Sequence, residues 1–175
     1  MRQVRFSAAM SLDGFIAGPR GEIDWIARDQ DFDFNAYYRE FDAALVGRKT
    51  YGEMRASGKS LPGMKVFVLS QTLSLGDCTD ANLRRDATDT IAEIRALPGK
   101  DIWIFGGATL FSTMLELGLV DSVELSVSPV LLGAGIRLRP FSASPVTLKL
   151  TGEQVYPKSG MIRLEYALER PSASE

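Results

Sequence analysis

The chain has 175 residues, 45% hydrophobic and 24% charged, a balance that suits one soluble globular domain able to bury its own core. A net charge of −2 leaves no basic footprint for nucleic acid, and no apolar stretch reaches the roughly 18 residues of a membrane span. Histidine is absent and cysteine occurs once, as Cys78, which removes Ser-His-Asp and Cys-His catalysis, histidine- or cysteine-based metal sites and any disulfide framework. The N-terminus "MRQVRFSAAMSLDG" turns polar too early for a signal peptide, so a cytoplasmic protein with no metal is expected.

Along the chain, "VRFSAAM" (4–10) reads as a strand and runs into a glycine-rich loop, "SLDGFIAGPRGEIDW". Phe34, Tyr37, Tyr38 and Phe41 at helical spacing predict a helix over about 31–41. "AALV" (43–46) and "KVFVLS" (65–70) read as buried strands, with a short helix beginning at "TYGEMRA" (50–56) between them. A helix over 88–97 is capped by Thr88 or Asp89 and stopped by Pro98-Gly99. The strand "DIWIF" (101–105) leads into a helix over 108–118 that closes at Gly118. Beyond it, "DSVELSVSPVLL", "VTLKLTGEQVYP" and "MIRLEYALE" alternate with period two, and "PKSG" turns between the last two. The expected class is α/β with a mixed sheet, mostly parallel and antiparallel at its C-terminal strands, in one domain over 1–170 with a frayed tail at 171–175.

Three strand ends share a pattern. "ALVGRKTYG", "VFVLSQT" and "WIFGGATL" each pass from a buried strand to a small residue and then to a polar or glycine turn. Ligands of open α/β sheets lie outside the carboxyl ends of the strands, and helix starts near Thr50 and Ala108 would offer N–H groups to anions. Two such starts suggest a cofactor containing pyrophosphate. Arg48 and Lys49, with Ser70 on the same edge, would suit a further phosphate of the kind that separates NADPH from NADH. "LLGAGIRL" lacks the third glycine of a dinucleotide fingerprint, and "GEMRASGKS" has the wrong spacing for a P-loop.

Taken in order, "SLDGFIA", "LVGRKTYGEM", "VFVLS", "IWIFGGATLF" and "VSPVLLGAGIRLRPF" resemble the dihydrofolate-reductase-like superfamily. The branch most similar is the reductase (C-terminal) domain of the bifunctional riboflavin-biosynthesis deaminase-reductase, over about Val4 to Leu168. The resemblance implies a three-layer reductase fold, a cytoplasmic homodimer and an NADPH site without a Rossmann fingerprint. By position it assigns Gly47, Arg48, Lys49 and Thr50 to the adenosine phosphates and pyrophosphate, and Leu69, Ser70 and Gln71 to the adenosine side. Gly106, Gly107, Ala108, Thr109 and Leu110 fall to the pyrophosphate and nicotinamide side, with a cis peptide joining the glycine pair. Ala9, Ile16 and Ala17 fall to the nicotinamide, with the 11–24 loop as a lid. Three positions depart from the pattern. Phe105 stands where the riboflavin reductases carry glutamate, "GRKTYG" follows the folate branch, and Phe111 replaces that branch's tyrosine.

Hydride transfer to an imine-like bond also needs a proton. Folate reductases use an acid on the first helix, and the matching stretch here offers Asp31, Asp33, Glu40 and Asp42, with Asp31 and Asp33 preferred. Asp13 in "SLDGF" is a further candidate. The leading expectation is an NADPH-dependent reductase of a small heterocycle, resembling 5-amino-6-(5-phosphoribosylamino)uracil reductase. A dihydrofolate or pterin reductase, a nucleotide-binding module without turnover, and an interaction protein built on "VELSVSPVLL" are the alternatives.

Overall fold

The computed structural model describes residues 1–139 and 144–169; the expected tail at 171–175 and the Pro140-Phe141 end of the last motif lie outside the described residues. In chain order the elements are β1 (Val4–Ser11), β2 (Phe15–Ala17), α1 (Phe34–Tyr38), β3 (Phe41–Gly47), α2 (Arg48–Ser57), β4 (Lys65–Leu69), β5 (Asn82–Arg84), α3 (Ala87–Arg95), β6 (Asp101–Gly106), α4 (Ala108–Glu116), β7 (Ser122–Ser128), β8 (Ile136–Arg137), β9 (Leu148–Tyr156) and β10 (Met161–Leu168). They divide into two compact units, Met1–Phe6 with Asp33–Val120, and Ser7–Phe32 with the chain from Asp121 onward.

The first unit is a parallel sheet ordered β5-β4-β3-β6, completed by the opening residues of β1, where Val4, Arg5 and Phe6 pair with Ile102, Trp103 and Ile104. Pairing partners share a face, so Val4, Phe6, Ile102 and Ile104 line one side and are buried to within 1%. Phe6 stacks there on Phe111 of α4 at 3.7 Å between ring centroids. Arg5, Trp103 and Phe105 line the other side. There Trp103 stacks on Phe41 and meets Tyr37, Tyr38 and Phe105 edge-on, and the Arg5 guanidinium lies over Phe41 at 4.7 Å. β-branched and leucine-rich runs such as "AALV" and "DIWIF" suit strands of this kind, buried on both faces.

The second unit carries the antiparallel order β7-β10-β9 and the two-stranded pair β2-β8. Its main-sheet strands alternate as the period-two reading requires. Glu124 on β7 is 3% exposed and bonds Arg163 of β10 at 2.6 Å, and Arg163 also reaches Glu165 and lies over the Phe32 ring. Parallel strands with crossing helices and antiparallel C-terminal strands give the expected α/β class.

Three boundaries differ from the reading of the sequence. The helix expected over 31–41 is only α1, because Phe41 joins β3, where its ring serves the sheet face against Trp103 instead of a helical stripe. Asp42 holds that strand start by accepting the Lys100 N–H at 3.0 Å and pairing with Arg2. α3 begins one residue earlier than expected, with Asp86 as the cap accepting the Asp89 N–H at 2.8 Å, and ends at Arg95. The short β2, β5 and β8 carry too few residues for periodicity to mark them.

Candidate functional site

The first unit brings three strand ends into register. Gly47 pairs with Leu69, Leu69 with Arg84, and Val46 with Gly106. α2 springs directly from Gly47 and α4 from Gly107, and neither glycine supplies a capping side chain. Each helix therefore opens with backbone N–H groups and the positive end of its dipole at the sheet's carboxyl edge.

Close backbone approach explains the glycines. The Gly106–Gly107 peptide is cis, as the resemblance implies, and Gly106 has φ of +131°, a conformation that side chains rarely adopt. A Cβ built on Gly107 would stand 3.2 Å from the Thr50 hydroxyl oxygen. One on Gly47 would stand 3.7 Å from the Gly106 carbonyl oxygen and 3.7 Å from the Leu110 Cβ. Gly47, Thr50, Gly106, Gly107 and Leu110 thus form one cluster. Ala108 is half-buried and Thr109 exposed on the first turn of α4.

Arg48 and Lys49 are exposed at the start of α2, and neither forms an ion pair with a described residue. Ser70 is buried. Its hydroxyl oxygen accepts the N–H groups of Thr72 and Leu73 at 3.2 and 3.1 Å, which turns the chain sharply after β4. Arg85 clasps this turn, donating to the carbonyls of Ser70 and Leu73, while the Gln71 amide donates to the Arg85 carbonyl at 2.6 Å. Arg85 is a residue the sequence reading missed. The adjacent pair Arg84-Arg85 was its only signal, and Arg84 instead faces Glu93 at 2.9 Å.

Phe105, in the position before the glycine pair, packs edge-on against Trp103 at 4.9 Å and adds no charge. Phe111 belongs to the core through Phe6. Of the residues assigned to the nicotinamide, Ala9 lies on β1 and Ile16 and Ala17 on β2, all half-buried in the second unit.

Each acid put forward as a proton donor has a structural partner. Asp33 caps α1, accepting the Ala36 N–H at 2.9 Å. Asp31 pairs with Lys158 at 3.0 Å. Asp13 accepts from the Ser11 hydroxyl and from the N–H groups of Leu132 and Gly133; the Ser11 bond leads in holding its pKa down to about 2. Glu40 faces Arg5 at 2.5 Å. Among the described residues no group of three His, Cys, Asp or Glu could hold a metal, and no helix is long and apolar enough to cross a membrane.

Comparison with known proteins agrees with this geometry. The uncharacterized protein YyaP of Bacillus subtilis (strain 168) is 32% identical over 178 residues, covering 94% of each chain. The riboflavin biosynthesis protein RibD of Corynebacterium ammoniagenes is 29% identical over 166 residues, which span 85% of this chain and about half (48%) of that protein. Among solved structures, a protein of Shewanella sp. PV-4 assigned to riboflavin biosynthesis superposes with a TM-score of 0.80 at 27% identity, covering 97% of this chain and all of that one. A pyrimidine reductase-like protein of Corynebacterium diphtheriae shares the fold with a TM-score of 0.69 at 17% identity, over 97% of this chain and 93% of that one. The sequence pattern of the RibD C-terminal domain matches residues 2–160, and the chain belongs to that family.

Proposed function

We propose that the protein is an NADPH-dependent reductase of a small flat heterocycle, of the class that includes 5-amino-6-(5-phosphoribosylamino)uracil reductase. One observation carries this reading: two helix N-termini without side-chain caps rise from Gly47 and Gly107 at neighbouring strand ends, beside exposed Arg48 and Lys49. The donor set fits the cofactor. Backbone N–H groups suit a pyrophosphate, and cations beside Ser70 suit a 2′-phosphate. When bound, NADPH supplies the hydride. Gly47, Gly107 and Thr50 keep the backbone bare for close approach, and Leu110 backs the cradle. Arg85 holds the turn that carries Ser70. The charge-free Phe105 leaves a pterin or another uncharged ring as eligible as the riboflavin-pathway pyrimidine.

A thermal-shift comparison tests the first step. NADPH is expected to raise the melting temperature more than NADH at equal concentration, and no shift with either dismisses the cofactor. NADPH consumption with dihydrofolate and with the ribosylaminopyrimidine then tests the substrate. A binding module without turnover is the second reading, favoured by the structural partners that hold Asp13, Asp31 and Asp33. Tight NADPH binding with no oxidation on either compound favours it.

A further inference from the structure

The loop 11–17 and the loop 130–138 lie far apart in the chain and are joined at successive points within the second unit. The Leu12 N–H donates to the Val130 carbonyl at 2.8 Å, and the Leu138 N–H to the Gly14 carbonyl at 3.2 Å. β2 pairs with β8, Phe15 opposite Arg137 and Ala17 opposite Ile136, and the Arg137 guanidinium lies over the Phe15 ring at 4.7 Å. Gly135 sits where a Cβ would run into the Ala17 carbonyl.

At the centre is one carboxylate. Asp13 Oδ2 accepts the Gly133 N–H at 2.7 Å, and Oδ1 accepts the Leu132 N–H at 3.1 Å and the Ser11 hydroxyl at 2.6 Å. Ser11 is fully buried, and its oxygen accepts the Phe15 N–H at 2.9 Å, so it braces both ends of the turn. Charge-assisted bonds to two successive amides of a distant loop are far more than a local turn needs. The same links hold Leu12, Leu131 and Ile136 outward, at 64, 70 and 44% exposure.

We infer that Asp13 is a positioning residue, whose carboxylate fastens loops 11–17 and 130–138 into one body and so fixes Ile16 and Ala17 for the nicotinamide end of the cofactor. The inference rests on the reductase reading, because the resemblance alone assigns Ile16 and Ala17 to that ring. It removes Asp13 from the proton donors. A segment tied in this way moves, if it moves, together with its partner loop.

The test uses two ligands that differ only at the nicotinamide: NADPH and 2′-phospho-ADP-ribose. Asp13→Ala is expected to weaken NADPH roughly tenfold, the scale of one charge-assisted hydrogen bond, and to leave 2′-phospho-ADP-ribose unchanged. In amide NMR spectra of the same variant, the Leu132 and Gly133 resonances should lose their downfield carboxylate shift. Asp13→Asn, which keeps the shape and one acceptor, should fall between wild type and Asp13→Ala, and it carries the test if the alanine variant does not fold. Unchanged affinity for both ligands overturns the inference while the reductase reading stands, and so does an equal loss for both. If the wild-type protein binds neither ligand, the reductase reading falls and takes the inference with it.

Discussion

A methyl group added at Gly107 would press on the Thr50 hydroxyl from 3.2 Å, tight enough that one of the two must shift. Gly107→Ala should therefore lower NADPH affinity by about tenfold through a displaced backbone, while changing stability by less than about 1 kcal/mol. Thr50→Ala in the same chain should restore part of the affinity; fluorescence titration with NADPH measures both. Gly106→Ala acts differently, since at φ of +131° any side chain is strained, and a loss of about 1–3 kcal/mol in urea unfolding is expected. Arg48→Ala should weaken NADPH about tenfold and NADH much less, because its charge is free to meet a 2′-phosphate. Equal losses for the two nucleotides would dismiss that role.

At the level of elements, the caps decide where helices begin. Asp86→Ala removes the bond to the Asp89 N–H, and urea denaturation should show a loss of about 1 kcal/mol. Such caps were only partly legible in the sequence. Thr88 and Asp89 looked equally suitable for α3, since several residues of "RRDATDT" can accept an N–H and spacing cannot rank them. The strand ends were legible because small residues after buried runs have a single physical use, the approach of something to backbone. Gly47, Ser70 and the glycine pair therefore fall where the pattern put them. Phe41 misled because an aromatic residue satisfies helical and sheet periodicity alike until its neighbour, Trp103, is known. Arg85 stayed hidden because its partners are backbone carbonyls, which have no sequence signature. Asp13 stood out as an acid in a glycine-rich loop, but its bonds to Leu132 and Gly133 lie 119 and 120 residues away and no spacing announces them.

For the molecule as a whole, depressed carboxylates set the acid limit. Asp13 and Glu22 are held at about 2, led by bonds from Ser11 and from Arg20, and Asp29 is also lowered, chiefly by the Asp31 N–H. Folded pKa values below the unfolded ones add stability that is fully present above pH about 4 and is lost as pH falls toward 2. Urea midpoints should be flat between pH 5 and about 4.5 and then decline steadily, and a midpoint that rises on acidification would contradict this. Cys78 is buried, and burial pushes its thiol pKa up, so a thiol reagent should label it only as fast as the chain unfolds.

The path of β1 has a consequence for biosynthesis. Phe6 and Ser7 are neighbours in sequence yet fall in different compact units, and Val4 finds its partner only in Ile102. The Arg2 guanidinium likewise waits for the Lys100 carbonyl, 98 residues downstream. At ribosomal speeds of about 5–20 residues per second, the first apolar hexapeptide is therefore exposed for roughly 5–20 s before the strand that covers it leaves the tunnel. For that interval the opening segment of the chain is a site for a chaperone, not a strand.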